Sequence, residues 1–128
     1  MAEAGQKGTD TWTAAADLRA KQYHFVRASA ADNMNQASLA SFGSGTNLIG
    51  VLQTKPNSGQ HGSVQYMGDS KVVAGGALVA NTWITTNGSG RAAQAGSGDV
   101  LAGLTKQTAG ADGDVITARL YPPVPLAG

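Results

Sequence analysis

The sequence predicts an all-β chain: a small β-barrel or sandwich of about eight short strands with an extended N-terminal arm. Three observations carry this. Eighteen glycines punctuate 128 residues, Val- and Thr-rich runs of five to eight residues lie between them, and only one Glu occurs in the chain. Each Gly inside a helix costs roughly 1 kcal/mol relative to Ala, so a long amphipathic helix is hard to place beyond residue 42. The apolar fraction is 41%, but 22 of those residues are Ala, with two Phe, two Trp and three Tyr among the larger ones. A thin core follows, which contacts between subunits can supplement.

Residues 1–10 hold no large apolar group beyond Met1 and read as an arm. Strands are expected at Thr11 to Asp17 and Gln22 to Ala28. Ala28 to Ala40, rich in Ala, Ser and Asn, reads as a loop or a single turn. Further strands fall at Asn47 to Gln53, Ser63 to Met67, Lys71 to Ala74, Thr82 to Thr86, Asp99 to Thr105 and Asp114 to Tyr121. Pro122-Pro123-Val124-Pro125 is expected to stop the last strand, because proline lacks the N–H a ladder needs. The division is therefore an arm (1–10), a barrel domain (11–121) and a Pro-rich tail (122–128). The two ends read as reaching elements or as plain disordered termini.

Period-two alternation assigns faces. Ile116, Ala118 and Leu120 suit the core, while Val115, Thr117, Arg119 and Tyr121 suit solvent or a neighbouring subunit. Val79, Asn81, Trp83 and Thr85 share one face, which leaves Trp83 as either a core plug or an interface anchor. An internal echo is also present. Leu48-Ile49-Gly50-Val51-Leu52 runs through a loop into Gly62-Ser63-Val64, and Leu101-Ala102-Gly103-Leu104-Thr105 runs through a loop into Gly113-Asp114-Val115. A Gly inside a strand marks a bulge, a bend or a close backbone approach, and two such hairpins can close one barrel.

Composition narrows the chemistry. The net charge is +1, and 13% of residues are charged against an average near ~25%, which argues against nucleic-acid tails and polybasic membrane patches. With no Cys, disulfides and thiolate chemistry are excluded. No signal-type apolar segment and no apolar run near ~18 residues occurs, so a soluble chain made in the cytoplasm is expected. Asn87-Gly88-Ser89 fits a glycosylation sequon but reads as a Gly-rich turn. His24 and His61 are the only imidazoles, and neither has a second ligand at metal spacing. Asp112 and Asp114 lie in a turn without the twelve-residue calcium loop. Gly43-Ser44-Gly45, Gly88-Ser89-Gly90 and Gly96-Ser97-Gly98 lack the features of a phosphate loop. No catalytic residue, cofactor or metal is expected.

The ordered series Ala16-Asp17-Leu18 through Tyr23-His24-Phe25-Val26, Ile49-Gly50-Val51-Leu52, Lys71-Val72-Val73-Ala74-Gly75, Asn87-Gly88-Ser89-Gly90 and Gly103-Leu104 with Gly113-Asp114-Val115-Ile116 resembles the capsid cement (head-decoration) proteins of tailed bacteriophages. The resemblance spans residues 14 to 121. It implies a small β-barrel on the outer surface of the expanded phage head, commonly a homotrimer, bound to the major capsid protein and clamping it against internal DNA pressure. From the charge pattern, no nucleic-acid or membrane partner is expected.

Within that reading, an arm adding a strand to a capsid sheet edge points to Thr9, Asp10, Thr11, Trp12 and Thr13, with Trp12 as anchor. Trp83, Arg119 and Tyr121 are the expected subunit-interface residues. Two rivals stand beside it. One is a virion-displayed carbohydrate- or host-binding module stacking sugars on Trp12, Trp83 or Tyr121; the other is a small hydrolase or isomerase built from His24 or His61 with an Asp.

Overall fold

The computed structural model describes residues 8–30, 32–36, 48–96 and 99–125. All regular structure among them is β, in ten strands: β1 (Thr9–Ala14), β2 (Phe25–Ala30), β3 (Asn33–Gln36), β4 (Leu48–Leu52), β5 (His61–Gln65), β6 (Gly68–Val73), β7 (Trp83–Thr86), β8 (Ala92–Gln94), β9 (Val100–Thr105) and β10 (Val115–Pro125). The expected all-β class holds, and each of the eight anticipated runs overlaps a strand. Burial follows the period-two rule, with Ile116, Ala118 and Leu120 buried and Val115, Arg119 and Tyr121 exposed.

Three expectations are corrected. Part of the segment Ala28 to Ala40 is strand, since it holds the end of β2 and all of β3, which pairs with both β1 and β2; residues 31 and 37–40 lie outside the described residues. Thr9 and Asp10, placed in the arm by composition, open β1 and pair with Gln65 and Val64, while residues 1–7 lie outside the described residues. The prolines do not stop β10. Its register shifts after Leu120 and pairing with β9 resumes at Val124↔Leu101 and Pro125↔Val100. The β6 pairing has ended by then, so this stretch is an edge, where a missing N–H is tolerated.

The strands form two five-stranded sheets. The order β1-β3-β2-β4-β5 closes into a barrel through β5 and β1. The order β6-β10-β9-β7-β8 brings its ends together at one parallel bridge, Ala74↔Ala92. The two hairpins of the internal echo do not close one barrel together: β4–β5 belongs to the first sheet and β9–β10 to the second.

The second five strands repeat the first, residue by residue. Phe25↔Val51 and Val26↔Gly50 correspond to Trp83↔Leu104 and Ile84↔Gly103. Val51↔Gln65 and Leu52↔Val64 correspond to Leu104↔Arg119 and Thr105↔Ala118. The parallel pair Ala14↔Met34 corresponds to Ala74↔Ala92. Turns match as well: Tyr23 N–H donates to the Leu52 carbonyl (2.7 Å) as Asn81 N–H does to that of Thr105 (2.9 Å), and Tyr23 and Asn81 both have φ 66°. The described residues thus form a tandem structural repeat of one five-stranded unit, closed in the first copy and joined at its ends by a single bridge in the second. Gly50 and Gly103 show why each echo carries a central glycine. A Cβ at Gly50 would collide with the Gln65 carbonyl, and one at Gly103 would lie 2.7 Å from the Arg119 carbonyl oxygen, so each hairpin partner approaches where no side chain stands.

Equivalent positions fill both interiors. Ala14, Leu18, Val26, Met34, Leu52 and Val64 form one buried cluster, and Ala74, Leu78, Ile84 and Ala92 with Ala118 lie in the other. Large and small side chains trade places. Met34 packs over Gly62, where a Cβ would come within 2.7 Å of its Cε; the equivalents are Ala92 and Ile116.

Candidate functional site

The two units meet through one face of the first. Phe25, Leu48 and Val51, on the outward side of β2 and β4, are buried in the second unit's cluster. Around them Phe25 N–H donates to the Gly90 carbonyl (2.6 Å), Val73 N–H to that of Tyr23 (3.0 Å), and Gln53 Nε2 to Ser70 Oγ (2.9 Å). Apolar plugs inside a polar rim make this junction a packed interface.

His24 sits at its edge, 5% exposed. Its Nδ1 faces the Gln22 carbonyl at 3.2 Å, an acceptor only, so Nδ1 carries the hydrogen. Nε2 accepts from Arg91 Nε at 3.4 Å, and Arg91 Nη1 reaches Asp112 Oδ1 at 2.8 Å. Burial lowers the pKa of His24, and nearby Lys21 and Arg91 add to that effect. A neutral imidazole is the form this arrangement fits, and both ring nitrogens are engaged. His61 lies elsewhere, with Nδ1 3.1 Å from Thr13 Oγ1. Asp114 Oδ2 accepts from the Gly110 and Ala111 N–H groups, so it points into its own turn. The Asn87 side chain likewise accepts from Ser89 and Arg91 N–H, a turn role.

The outer face of the second sheet gathers the three expected subunit-interface residues. Trp83, Leu104, Arg119 and Asp69 form one cross-strand row over β7, β9, β10 and β6. Trp83 is 44% exposed, so it is no core plug. Its ring centroid lies 5.8 Å from that of Tyr121, with the planes at 51°. Asp69 takes Lys106 Nζ at 2.6 Å and Arg119 Nε at 3.2 Å. Those cations, Lys106 first, hold its carboxyl below the usual range. Exposed Met67 borders the row, exposed Val115 lies four residues from Arg119 along β10, and an open groove of about 510 Å³ runs past Met67, Asp69, Arg119, Tyr121 and Pro122. Among the described residues, four of the five exposed large apolar side chains lie on or beside this face. Such clustering marks interaction surfaces.

Thr9–Thr13 form β1, part of the barrel wall, with Thr9 to Thr13 paired to Gln65 to His61. Trp12 is half-buried against the first core, and exposed Asp10 accepts from Thr11 N–H (2.9 Å). The structure thus brings Trp83, Arg119 and Tyr121 together and sets Trp12 apart from them. Sequence reasoning missed the junction residues Phe25, Leu48 and Val51, and Asp69 with Lys106. Extending the echo outward from Gly50 and Gly103 would have aligned Phe25 with Trp83 and drawn attention to both faces.

No protein-family model and no curated protein matches the chain. Among solved structures it is similar to the crystal structure of the head fiber gp8.5 N base in bacteriophage phi29, with a TM-score of 0.67 and 17% sequence identity over 88% of this chain and 92% of that one. At that identity the likeness is one of fold, and it extends over both five-stranded units.

Proposed function

We propose that the chain is a structural protein of a phage head, a decoration or cement protein that binds the outside of the expanded shell as a homotrimer. There it holds the major capsid protein against internal DNA pressure. The observation that carries this reading is the shared fold, nearly end to end, with a protein whose own description is that of a phage head fiber base. The ordered motif series of the sequence supports it independently. So does the physical character of the chain: a thin core gains from apolar surface buried between subunits at ~25 cal/mol per Å², and many modest contacts on one shell act multivalently. The reading requires no chemical step.

The test is co-sedimentation of the purified chain with expanded, undecorated heads and with unexpanded heads. Saturable binding to expanded heads alone, with greater resistance of those heads to heat, is expected. Absence of binding to either form overturns the reading. The exposed Trp83–Tyr121 pair beside Arg119 and Asp69 favours a second reading, a virion-displayed carbohydrate-binding module. Glycan binding lost on Tyr121→Ala, with no affinity for heads, would select it.

A further inference from the structure

The duplication supplies a template for how one copy of this chain contacts another. In the first unit, the outward face of β2 and β4 carries Phe25, Leu48, Val51 and Gln53, and it is covered by the second unit. By the matched registers, the same positions in the second unit are Trp83, Leu101, Leu104 and Lys106. Among the described residues nothing covers that face: Trp83 and Lys106 are exposed, and Leu101 and Leu104 are only half-buried. The surface that receives Phe25 has a counterpart too. Ser70 and Val72 of the second unit, buried at 6% and 0%, correspond to Asp10 and Trp12 of the first, which are exposed and half-buried. Each molecule therefore carries one used and one unused version of both halves of a single interface.

We propose that the chain self-associates head to tail, the β7–β9 face of one copy docking on the β1 rim of the next copy's first unit. Charge singles out a second copy as the occupant. Inside the chain, Gln53 Nε2 meets Ser70 Oγ at 2.9 Å, a neutral pair. At the unused halves, Lys106 stands in the place of Gln53 and Asp10 in the place of Ser70, so opposite charges come together across the contact. The outer face carries Lys71, Lys106 and Arg119 against Asp69, an excess of positive charge that disfavours meeting its own image. The intermolecular contact differs from its template in one respect. Trp12 fills the rim where Val72 leaves room for Phe25, and Thr13 N–H is bonded to the Asp32 carbonyl (2.9 Å). Trp83 therefore lies over the rim instead of inserting into it. An interface of this kind joins two different patches, so repetition closes a ring when the rotation between copies allows it.

The test is sedimentation velocity of the full chain over a range of concentrations, with Trp83→Asp and Asp10→Lys, both exposed positions, checked for an unchanged melting profile. Each variant alone is expected to weaken association at least about tenfold, as loss of a central contact does. Mixed, they form a one-to-one pair that grows no further, because each retains the half the other lacks. Lys106→Asp combined with Asp10→Lys is expected to restore association. A wild type that is monomeric up to about 1 mM, or association that Trp83→Asp abolishes and Asp10→Lys leaves intact, overturns the proposal. So does an Asp10→Lys chain that associates as the wild type does. Because the assay contains no heads, a monomeric wild type would remove the homotrimer from the proposed function and leave its binding to expanded heads to the co-sedimentation test.

Discussion

The two five-stranded units share a hydrogen-bond scheme and differ in what covers them. Phe25 and Trp83 occupy the same point of the ladder, opposite Val51 and Leu104, yet Phe25 is 1% exposed and Trp83 is 44% exposed. The interiors differ as well, with Met34 over Gly62 in one and Ala92 beside Ile116 in the other. Strand register is therefore maintained by main-chain geometry and by the two central glycines, while side-chain volume is free to redistribute provided the sum fills the space. Where one unit covers the other, the pair becomes asymmetric, and among the described residues that asymmetry leaves one face of the second unit uncovered.

The sharpest way to break this comparison is at the glycines. Gly50→Ala adds a Cβ against the Gln65 carbonyl at a φ of 149° and is expected to cost several kcal/mol. Gly103→Ala meets the Arg119 carbonyl oxygen at 2.7 Å, without a left-handed φ, and is expected to cost less but in the same direction. Urea denaturation measures both; a neutral Gly103→Ala would mean the two hairpins are not equivalent. Next in size is the plug. Phe25→Ala is expected to destabilise by about 3–5 kcal/mol, whereas Trp83→Ala in the isolated monomer costs under about 1 kcal/mol. Equal effects at these matched positions would contradict their opposite burial.

A smaller effect sharpens the junction. Burial holds His24 below its ordinary pKa of 6.5, so protons bind the unfolded chain more tightly than the folded one. The stability this imposes is complete above about pH 6.5 and is lost as pH falls toward the lowered value. The melting temperature should drop more between pH 8 and pH 5 in the wild type than in His24→Gln, and parallel pH profiles would remove His24 from the account. Smallest is Asp17, whose hydrogen bonds from Arg19 (2.8 and 2.9 Å) bring its pKa to about 2. NMR titration should place its midpoint there and show it rising in Arg19→Ala, with only a small fall in melting temperature, since the pair is exposed.

Strands announced by Val, Thr and alternation were legible, and the two that were not are counterparts. Asn33–Gln36 and Ala92–Gln94, the third strand of each unit, consist of Asn, Met, Gln and Ala and show no apolar alternation. They become strands because β2 and β7 offer them a ladder and β1 or Ala74 offers a second neighbour. Asn81 and Tyr23 share a left-handed turn with no common side-chain chemistry, so the duplication was legible only around its glycines. At the candidate site, alternation in β10 exposed Arg119 and Tyr121, and the structure added Asp69, which reaches Arg119 through pairing across fifty residues.

By itself the sequence determined the β class, the hairpin glycines and the outward set Val115, Thr117, Arg119 and Tyr121, because turn chemistry and period-two alternation are local. Tertiary structure decided the number of units, the burial of Phe25 beside the exposure of Trp83, and the fate of β1 and the prolines. Those outcomes depend on which strand finds which neighbour and on what then covers its outer face, which is a property of the assembled surfaces rather than of any short stretch of residues.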